Sequence, residues 1–303
     1  MKTLSSYLTN IRTGLFGATK SFTCLSSRII LEASAPFAHS TRVNKGETVI
    51  TLPGAHLNMP TGPIDVYDGL VTTLIVSQDA QGTPRIIINT NEACANSLEE
   101  VPGLPHRLIV DLDRSPLQHY FRNQGLLLDP AQDGKKGGIV SPTGLKEHIP
   151  TLQIARRLAQ LIAQVPARVN ITRRDEEFIP PRERLQMCRE LKPSLFLAIA
   201  TGVEREKPRS GFWLKYYYRG NKNKFLATCL KKEMQRKMSI PLRGCMAVNT
   251  SLLRELPIPA VLVEVANISH RLDEGLLRDV DFRKAVAQGL FNGILSYLKG
   301  LGE

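Results

Sequence analysis

Carboxylate side chains beside apolar segments are the residues of this chain whose types best suit chemistry. Glu147 follows a short glycine-containing run, and Glu264 ends the apolar run 260–263. A carboxylate at such a place can bind a cation, or it can take a proton from water as a general base.

Two histidines lie near these carboxylates in sequence. His148 follows Glu147 directly, and we expect the two side chains to point in opposite directions. His270 comes six residues after Glu264, within reach of the same site. The five cysteines form no CxxC pair, which excludes a zinc-ribbon or dithiol redox signature. Cys188 and Cys229 fall on apolar helix faces and are predicted to be core residues.

The elements that must position these residues alternate between strand and helix from Gly125 onward. Short apolar runs bounded by turns predict strands, and apolar residues at helical spacing predict helices. We expect an α/β domain over 125–303, with a mixed or parallel sheet and helices on both faces. The predicted strands are 126–128, 169–172, 195–200, 212–218 and 260–265, and the predicted helices are 150–165, 181–191, 224–238 and 282–298.

The first part of the chain has a different pattern. β-rich runs recur there with turn residues between them and no long amphipathic helix, which predicts a small all-β sandwich over 27–113. Residues 1–26 form a separate N-terminal segment, and 114–124 form a linker. The predicted strands are 28–31, 47–52, 70–76, 85–90 and 107–112.

Positive charge is concentrated in the second part of the chain. Residues 1–120 carry 9 Lys/Arg and 10 Asp/Glu, whereas the remainder carries 31 and 18, a net charge of +13. This imbalance favours a polyanionic neighbour such as an anionic wall polymer, lipid head groups or nucleic acid, or else it solubilises the surface. We expect no specific nucleic-acid binding, because no nucleic-acid motif is present.

Residues 203–243 hold 12 of these cations, with Trp213 and several other aromatic residues among them. Aromatic and cationic side chains together are typical of a face that binds sugar or nucleic acid. A strand with one face in the core, followed by a helix with a solvated basic face, explains the same pattern. Both interpretations stay open.

Neither a membrane span nor a secretory signal is evident in the sequence. No window holds the 18 or more apolar residues of a transmembrane helix, so we expect no transmembrane segment. Arg12 and Lys20 interrupt the apolar core that a secretory signal needs. The protein is then expected to be cytoplasmic, unless the true start lies upstream or a signal has been removed.

The stretch 127–134, Leu-Leu-Asp-Pro-Ala-Gln-Asp-Gly, resembles the motif Asp-Pro-Gly-His-Gly-Gly of the zinc-dependent N-acetylmuramoyl-L-alanine amidases. The resemblance implies that the zinc-binding histidine of the family is replaced by Gln132. Residues 194–200 resemble the strand that ends on the family's other zinc histidine, which is Ala200 here. The amidase resemblance covers about 125–300 and keeps the order of the family's motifs.

Further matches imply roles for three residues. Glu147 matches the family's zinc-binding glutamate, and Glu264 matches its general base. Arg173 lies in a threonine-arginine motif at a strand end and is assigned to substrate binding, with an ion pair to Glu264 as a hypothesis. The sandwich resembles the AMIN domain, a module associated with peptidoglycan or envelope partners, through its strand rhythm and its closing run 107–112.

The resemblance therefore implies an amidase scaffold with a degenerate zinc site, because Glu147 is the only retained ligand. We expect a pseudoenzyme that binds peptidoglycan, an anionic wall polymer or an envelope protein without hydrolysing it, and we expect no cofactor. The alternative is an active amidase that cleaves the bond between muramic acid and the stem peptide with a rebuilt metal site. Asp133, Glu147 and Glu264 would make an oxygen-rich set for it, which suits a harder ion than zinc. The family implies a location in the bacterial cell envelope.

Overall fold

Contacts within the chain divide it into two compact units, Met1–His119 and Tyr120–Glu303. The computed structural model describes residues 5–16, 26–131, 138–204 and 206–302. Gln132 and Asp133, which the sequence analysis singled out, lie outside the described residues.

The first unit consists of two antiparallel-rich sheets of five strands each among its described residues. One sheet has the strand order β5-β1-β2-β10-β9, and the other has the order β3-β4-β8-β7-β6. The strands are β1 (Ser6–Phe16), β2 (Ser26–Ala33), β3 (Ser40–Asn44), β4 (Glu47–Thr51), β5 (Ala55–Leu57), β6 (Gly62–Asp65), β7 (Val71–Gln78), β8 (Pro84–Thr90), β9 (Asn96–Val101) and β10 (His106–Asp113).

Alternating apolar residues explain why these strands form sheets with one buried face. In β10, Leu108, Val110 and Leu112 are fully buried, whereas Arg107, Ile109 and Asp113 are only half-buried. The predicted all-β sandwich is confirmed. Strand β1 pairs with β2 although it lies within 1–26, which the sequence analysis left outside the sandwich. A short 3-10 helix and helix α1 (Gln118–Phe121) lie within the predicted linker.

The second unit is a six-stranded mixed sheet with the order β12-β11-β13-β16-β14-β15. Strands β11, β12, β13 and β16 run parallel, and β14 and β15 run in the opposite direction. The elements are β11 (Gly125–Pro130), α2 (His148–Ile162), β12 (Arg168–Ile171), α3 (Pro181–Leu191), β13 (Leu195–Gly202), β14 (Phe212–Tyr217), α4 (Asn221–Lys237), β15 (Leu242–Val248), α5 (Ser251–Glu255), β16 (Ala260–Asn267), α6 (Arg271–Arg278) and α7 (Val280–Lys299).

Helices cover both faces of this sheet. Phe196 and Ala198 of β13 pack in one cluster with residues of α3 and α5, including Leu185 and Leu253. The central strands are buried along their whole length, so their alternate residues need cover on the opposite face as well. Helices α2, α4 and α7 pack there against the strands and one another. The predicted α/β architecture is confirmed.

Two smaller expectations concern single elements. Cys188 of α3 and Cys229 of α4 are buried, as predicted for core residues. Among the described residues, no helix combines the length and apolar character needed to cross a membrane.

Candidate functional site

Strand register brings three residues together at the centre of the sheet. Glu264 of β16 lies opposite Ala200 of β13 on one side and opposite Trp213 of β14 on the other. Residues paired across neighbouring strands project from the same face of a sheet. The side chains of Ala200, Glu264 and Trp213 therefore share one face.

A cavity of about 210 Å³ lies over this face. Gly244 of β15 leaves room for the Trp213 ring beside the cavity, because a Cβ atom there would overlap the indole. The cavity is lined by Gly202, Val203, Glu204, Trp213, Lys215, Met246, Glu264 and Asn267.

Lys215 forms an ion pair with Glu264 inside this cavity, through Nζ and Oε1. The side chains of Lys215 and Glu264 are 27% and 17% exposed, so water reaches both groups only in part. Arg173 was the expected partner of Glu264, and that expectation was wrong. In sequence, Lys215 is one of the excess cations of 203–243, and its two-residue spacing from Trp213 along a strand is the signal that could have identified it.

Arg173 is instead 3% exposed and hydrogen-bonded in another part of the domain. Its Nε donates to the Pro130 carbonyl at 2.8 Å, and its Nη2 donates to the carbonyl of His148 at 3.0 Å and to Thr151 Oγ1 at 3.2 Å. Burial lowers the pKa of Arg173, and the negative charge of Asp129 opposes that effect. Substrate binding by Arg173 stays a prediction, and these contacts lend it no support.

Glu147 is 1% exposed and faces the end of β13. Its Oε1 accepts hydrogen bonds from the Thr201 amide at 3.0 Å and from Thr201 Oγ1 at 2.9 Å. Glu147 is not among the cavity-lining residues, and Ala200 beside Thr201 has no side-chain donor atom for a metal. Within the described part of the chain, no group of three or more His, Cys, Asp or Glu side chains could hold a metal ion.

The two histidines have partners outside the cavity. His148 is 2% exposed, and its Nε2 lies 3.5 Å from Glu176 Oε1. His270 Nδ1 lies 3.1 Å from Asp273 Oδ1, directly before α6. Neither histidine lines the cavity, so the structure does not bring them together with Glu264.

Asp273 of α6, which the sequence analysis missed, fixes two segments that border the cavity. It is fully buried, and its Oδ2 accepts from the amides of Gly211 and Asn267, each at 2.9 Å. These bonds hold the start of β14 and the end of β16 at fixed positions. An acidic residue in a short helix is ordinarily solvent-exposed, so its pattern in the sequence gave no signal of burial.

Glu274, next in the chain, anchors the segment before α2. Its Oε1 accepts from Ser141 Oγ at 2.5 Å, from Thr143 Oγ1 and from Arg278 Nη2 at 3.0 Å. Burial is the largest influence and raises the pKa of Glu274, but the hydrogen bonds from these three residues together hold it below its usual range. Glu274 therefore stays ionised where it supports the segment that leads to Glu147.

Asp129 lies at the end of β11 and is buried with Arg184 and Thr172. Arg184 Nη1 donates to Asp129 Oδ2 at 3.0 Å, and Thr172 Oγ1 donates to Asp129 Oδ1 at 2.6 Å. Burial raises the pKa of Asp129, and Arg184 opposes that shift. These bonds tie the ends of β11 and β12 to α3.

The cavity combines apolar and polar surface. The Trp213 ring and Met246 offer apolar surface, and Asn267, Glu204 and Lys215 offer polar atoms at the same cavity. Small-molecule sites commonly combine these two kinds of surface. Glu264 could act as a base only through the lone pairs that Lys215 does not occupy.

Known proteins resemble a large part of this chain in sequence and in fold. A probable cell wall amidase, LytH, of Staphylococcus epidermidis is 28% identical over 202 residues. The match covers 65% of this chain and 66% of that relative, which is just under two thirds of its length.

Solved structures also resemble this chain in fold. The catalytic domain of CwlV, an N-acetylmuramoyl-L-alanine amidase from Bacillus (Paenibacillus) polymyxa var. colistinus, superposes with a TM-score of 0.55 at 28% identity, covering 58% of this chain and 98% of that one. An N-acetylmuramoyl-L-alanine amidase from Clostridium difficile, at 24% identity and a TM-score of 0.56, shares the fold and covers 58% of this chain and 97% of its own.

The family model described as N-acetylmuramoyl-L-alanine amidase matches residues 126–296, which is more than half of the chain. The match begins in β11 and ends in α7, so it spans the whole mixed sheet and the cavity. This protein therefore belongs to the N-acetylmuramoyl-L-alanine amidase family.

Proposed function

We propose that this protein is a pseudoenzyme of its family that binds peptidoglycan through the cavity at Trp213 and does not hydrolyse it. The observation that carries the proposal is the ion pair between Lys215 and Glu264. In hydrolysis, the general base must accept a proton from the attacking water. The Lys215 ammonium occupies Oε1 of the carboxylate that would do so.

The ligand positions support the same proposal. Catalytic zinc sites have three protein ligands and one open position, and the family is typically zinc-dependent. The chain has Ala200 at one family ligand position and Gln132 at another. The Oε1 atom of Glu147 accepts two hydrogen bonds from Thr201. The described side chains therefore do not fit a zinc site, and no step of the proposed function uses a metal.

The cavity suits one unit of a polymer better than a large ligand. Its volume of about 210 Å³ lies below the range of about 300–1,000 Å³ typical of drug-sized ligand pockets. An aromatic ring such as that of Trp213 presents a flat apolar face with polar groups nearby, a combination that accommodates a sugar ring or a short peptide. Peptidoglycan contains both kinds of unit.

The remaining parts of the proposal concern the first unit and the location. We assign 27–113 to an AMIN-like domain that contributes to targeting, on the strength of the all-β architecture formed there by strands β2 to β10. A place in the cell envelope is supported by the name of the staphylococcal relative, which is a probable cell wall amidase. An envelope protein is a second kind of partner for this domain.

The alternative function is an active metal-dependent amidase. It is favoured by the survival of Glu147 and Glu264 in one chain, with Asp133 as a further oxygen donor. Such a site would have to displace Lys215 from Glu264, whereas the hydrogen bonds from Thr201 reach only Oε1 of Glu147. The proposal of a non-hydrolytic protein keeps the Lys215 pair in place.

Co-sedimentation with purified sacculi tests the proposed function, with released stem peptides measured in the same samples. We expect the wild type to bind and to release none. Trp213→Ala should weaken binding about tenfold, because one well-packed aromatic contact contributes on that order. Tyr218→Ala is the matched control, since Tyr218 is an exposed aromatic residue outside the cavity.

Two results would overturn the proposal. Release of peptides by the wild type, abolished in Glu264→Gln, would show that the protein is an amidase. Equal loss of binding in Trp213→Ala and Tyr218→Ala would show that the cavity is not the binding site. Far-UV circular dichroism of each variant separates lost binding from lost folding.

A further inference from the structure

A second concave surface lies between α2 and α7 and shares no residue with the cavity at Trp213. We call it the basic groove. Its volume is about 270 Å³. It is lined by Arg156, Arg157, Gln160, Val280, Arg283 and Lys284, together with a second glutamine.

The cations of the basic groove are mostly bonded to neutral groups. Arg156 donates to the Arg174 carbonyl, Arg157 Nη1 donates to Gln160 Oε1 at 3.3 Å, and Arg283 Nη1 donates to the Leu277 carbonyl at 2.6 Å. None of the described side chains that line the groove is acidic. These contacts satisfy some donors but do not neutralise the charge.

Two aspartates lie near the groove without lining it. Asp281 pairs with Lys284 at 2.8 Å, and its side chain is 86% exposed, so water screens this pair. Asp279 accepts from the Phe282 amide at 2.7 Å and caps α7. Burial lowers the pKa of Arg283, and Asp279 opposes that effect. The groove thus carries more positive than negative charge.

The start of α7 adds to this preference. The partial positive charge at a helix N-terminus favours an anion nearby and disfavours cations, and Asp279 already supplies one carboxylate there as the cap. Arg283 and Lys284 lie within the first five residues of α7, where this effect acts against them. A bound anion would be attracted by the helix and by the side chains together.

We propose that the basic groove binds phosphate groups of an anionic polymer that carries no bases. Arginine side chains present forked donors that match phosphate oxygens, and Arg156 and Arg157 supply two of them side by side on α2. Among the described residues that line the groove there is no aromatic side chain on which a base could stack, which disfavours single-stranded nucleic acid. Its concave shape fits a chain better than the flat surface of a bilayer.

Binding of inorganic polyphosphate to the full-length protein at low ionic strength tests this proposal. Arg157→Gln/Lys284→Gln removes two charges whose contacts are with exposed groups only, so the fold should be kept. We expect affinity to fall at least about tenfold, because each lost charged contact contributes substantially. Lys222→Gln/Lys224→Gln removes two exposed charges from α4 and should change affinity less than about threefold.

Further probes distinguish phosphate from other anions. Polyglutamate of matched charge should bind more weakly than polyphosphate, and inorganic phosphate should compete. Equal loss in both double variants would mean that diffuse charge alone drives binding and would overturn the proposal. So would equal binding of polyglutamate, tighter binding of an oligonucleotide, or binding to anionic vesicles without binding to polyphosphate. Binding to sacculi stripped of phosphate polymers measures the proposed peptidoglycan binding alone. The failure of one proposal can therefore be told from the failure of the other.

Discussion

At the scale of single residues, the pair of Lys215 and Glu264 determines what the cavity can do. A side-chain ammonium there provides the positive charge that a metal supplies in a zinc-dependent hydrolase. The two differ in chemistry, because zinc acidifies a bound water and an ammonium at neutral pH does not. Lys215 can still orient a polar ligand by hydrogen bonding.

Histidines at the two positions that the resemblance assigns to zinc ligands should expose the influence of Lys215. Gln132→His/Ala200→His supplies two imidazoles, but the nearby ammonium repels a divalent cation. We expect Gln132→His/Ala200→His/Lys215→Met to bind zinc at least about tenfold more tightly than the double variant. Competition with a chromophoric chelator measures both affinities.

A charge-conserving variant provides the control for that comparison. Gln132→His/Ala200→His/Lys215→Arg keeps the positive charge and should bind zinc no better than the double variant. If the Lys215→Met and Lys215→Arg triple variants bound zinc equally, charge repulsion by Lys215 would be the wrong explanation. The unsubstituted protein in the same assay measures any zinc affinity that Glu147 and its neighbours already provide.

The sequence singles out Glu147 and Glu264 as candidate site residues, but it does not predict the residues that they contact. Each glutamate sits in a short local pattern that can be read along the chain. The partners Thr201 and Lys215 come from other strands, 54 and 49 residues away. Such contacts depend on strand order and register, which local patterns do not specify.

At the scale of elements, the contact between α4 and α7 depends on two glycines. Gly289 and Gly293 lie one turn apart on α7 and face Met234 and Leu230 of α4. A Cβ atom at Gly293 would lie 2.7 Å from Leu230 Cα. The two helices pack this closely because no side chain separates their backbones.

Gly293→Ala should therefore destabilise the second unit by about 1–3 kcal/mol, the usual cost of overpacking a core. Gly275→Ala on α6 is the control. A Cβ atom there meets nothing within 4 Å, and alanine is the better helix former. Urea unfolding should place Gly275→Ala at or above the wild type. A Gly293→Ala protein as stable as wild type would mean that α4 and α7 can move apart without loss.

Most elements could be predicted because they have strong periodic patterns. Helix α3 was predicted with its observed bounds, and β11, β13 and β16 are apolar runs that the sheet buries on both faces. The missed elements have weak patterns. Strand β15 is an edge strand with partly exposed residues, and α6 turns its acidic residues, Asp273 and Glu274, inward. Contacts with the rest of the domain, rather than local sequence preference, determine that β15 and α6 form.

At the scale of the whole molecule, the two units differ in charge and in architecture. The first is an all-β unit with nearly balanced charge, and the second is an α/β unit that carries the positive excess. Each has its own hydrophobic core, so we expect each to unfold in its own transition. Trp213 is the single tryptophan of the chain and lies in the second unit, so its fluorescence reports that unit alone.

Glu32 of β2 provides a test specific to the first unit. It is 3% exposed, and its carboxylate accepts from Arg107 Nε and Asn10 Nδ2, each at 3.0 Å, and pairs with Arg12 at 3.1 Å. Burial is the largest single influence and raises its pKa, but the contacts with Arg107, Asn10 and Arg12 together hold the pKa of Glu32 below its usual range. The ionised form therefore stabilises the folded unit.

Because the folded pKa is lower than the unfolded one, this stabilisation is complete above the unfolded pKa of about 4.5 and is lost as the pH falls through the folded value. At pH near 7, Glu32→Gln should lower the midpoint of the first unit's thermal transition by about 4–8 °C, the shift for about 1 kcal/mol in a domain of this size. The difference should shrink below a pH of about 4.5.

Far-UV circular dichroism should detect the shift while Trp213 fluorescence stays unchanged. Glu99→Gln, at an exposed position of β9, should have little effect. A shift in the Trp213 transition would show instead that the two units unfold together.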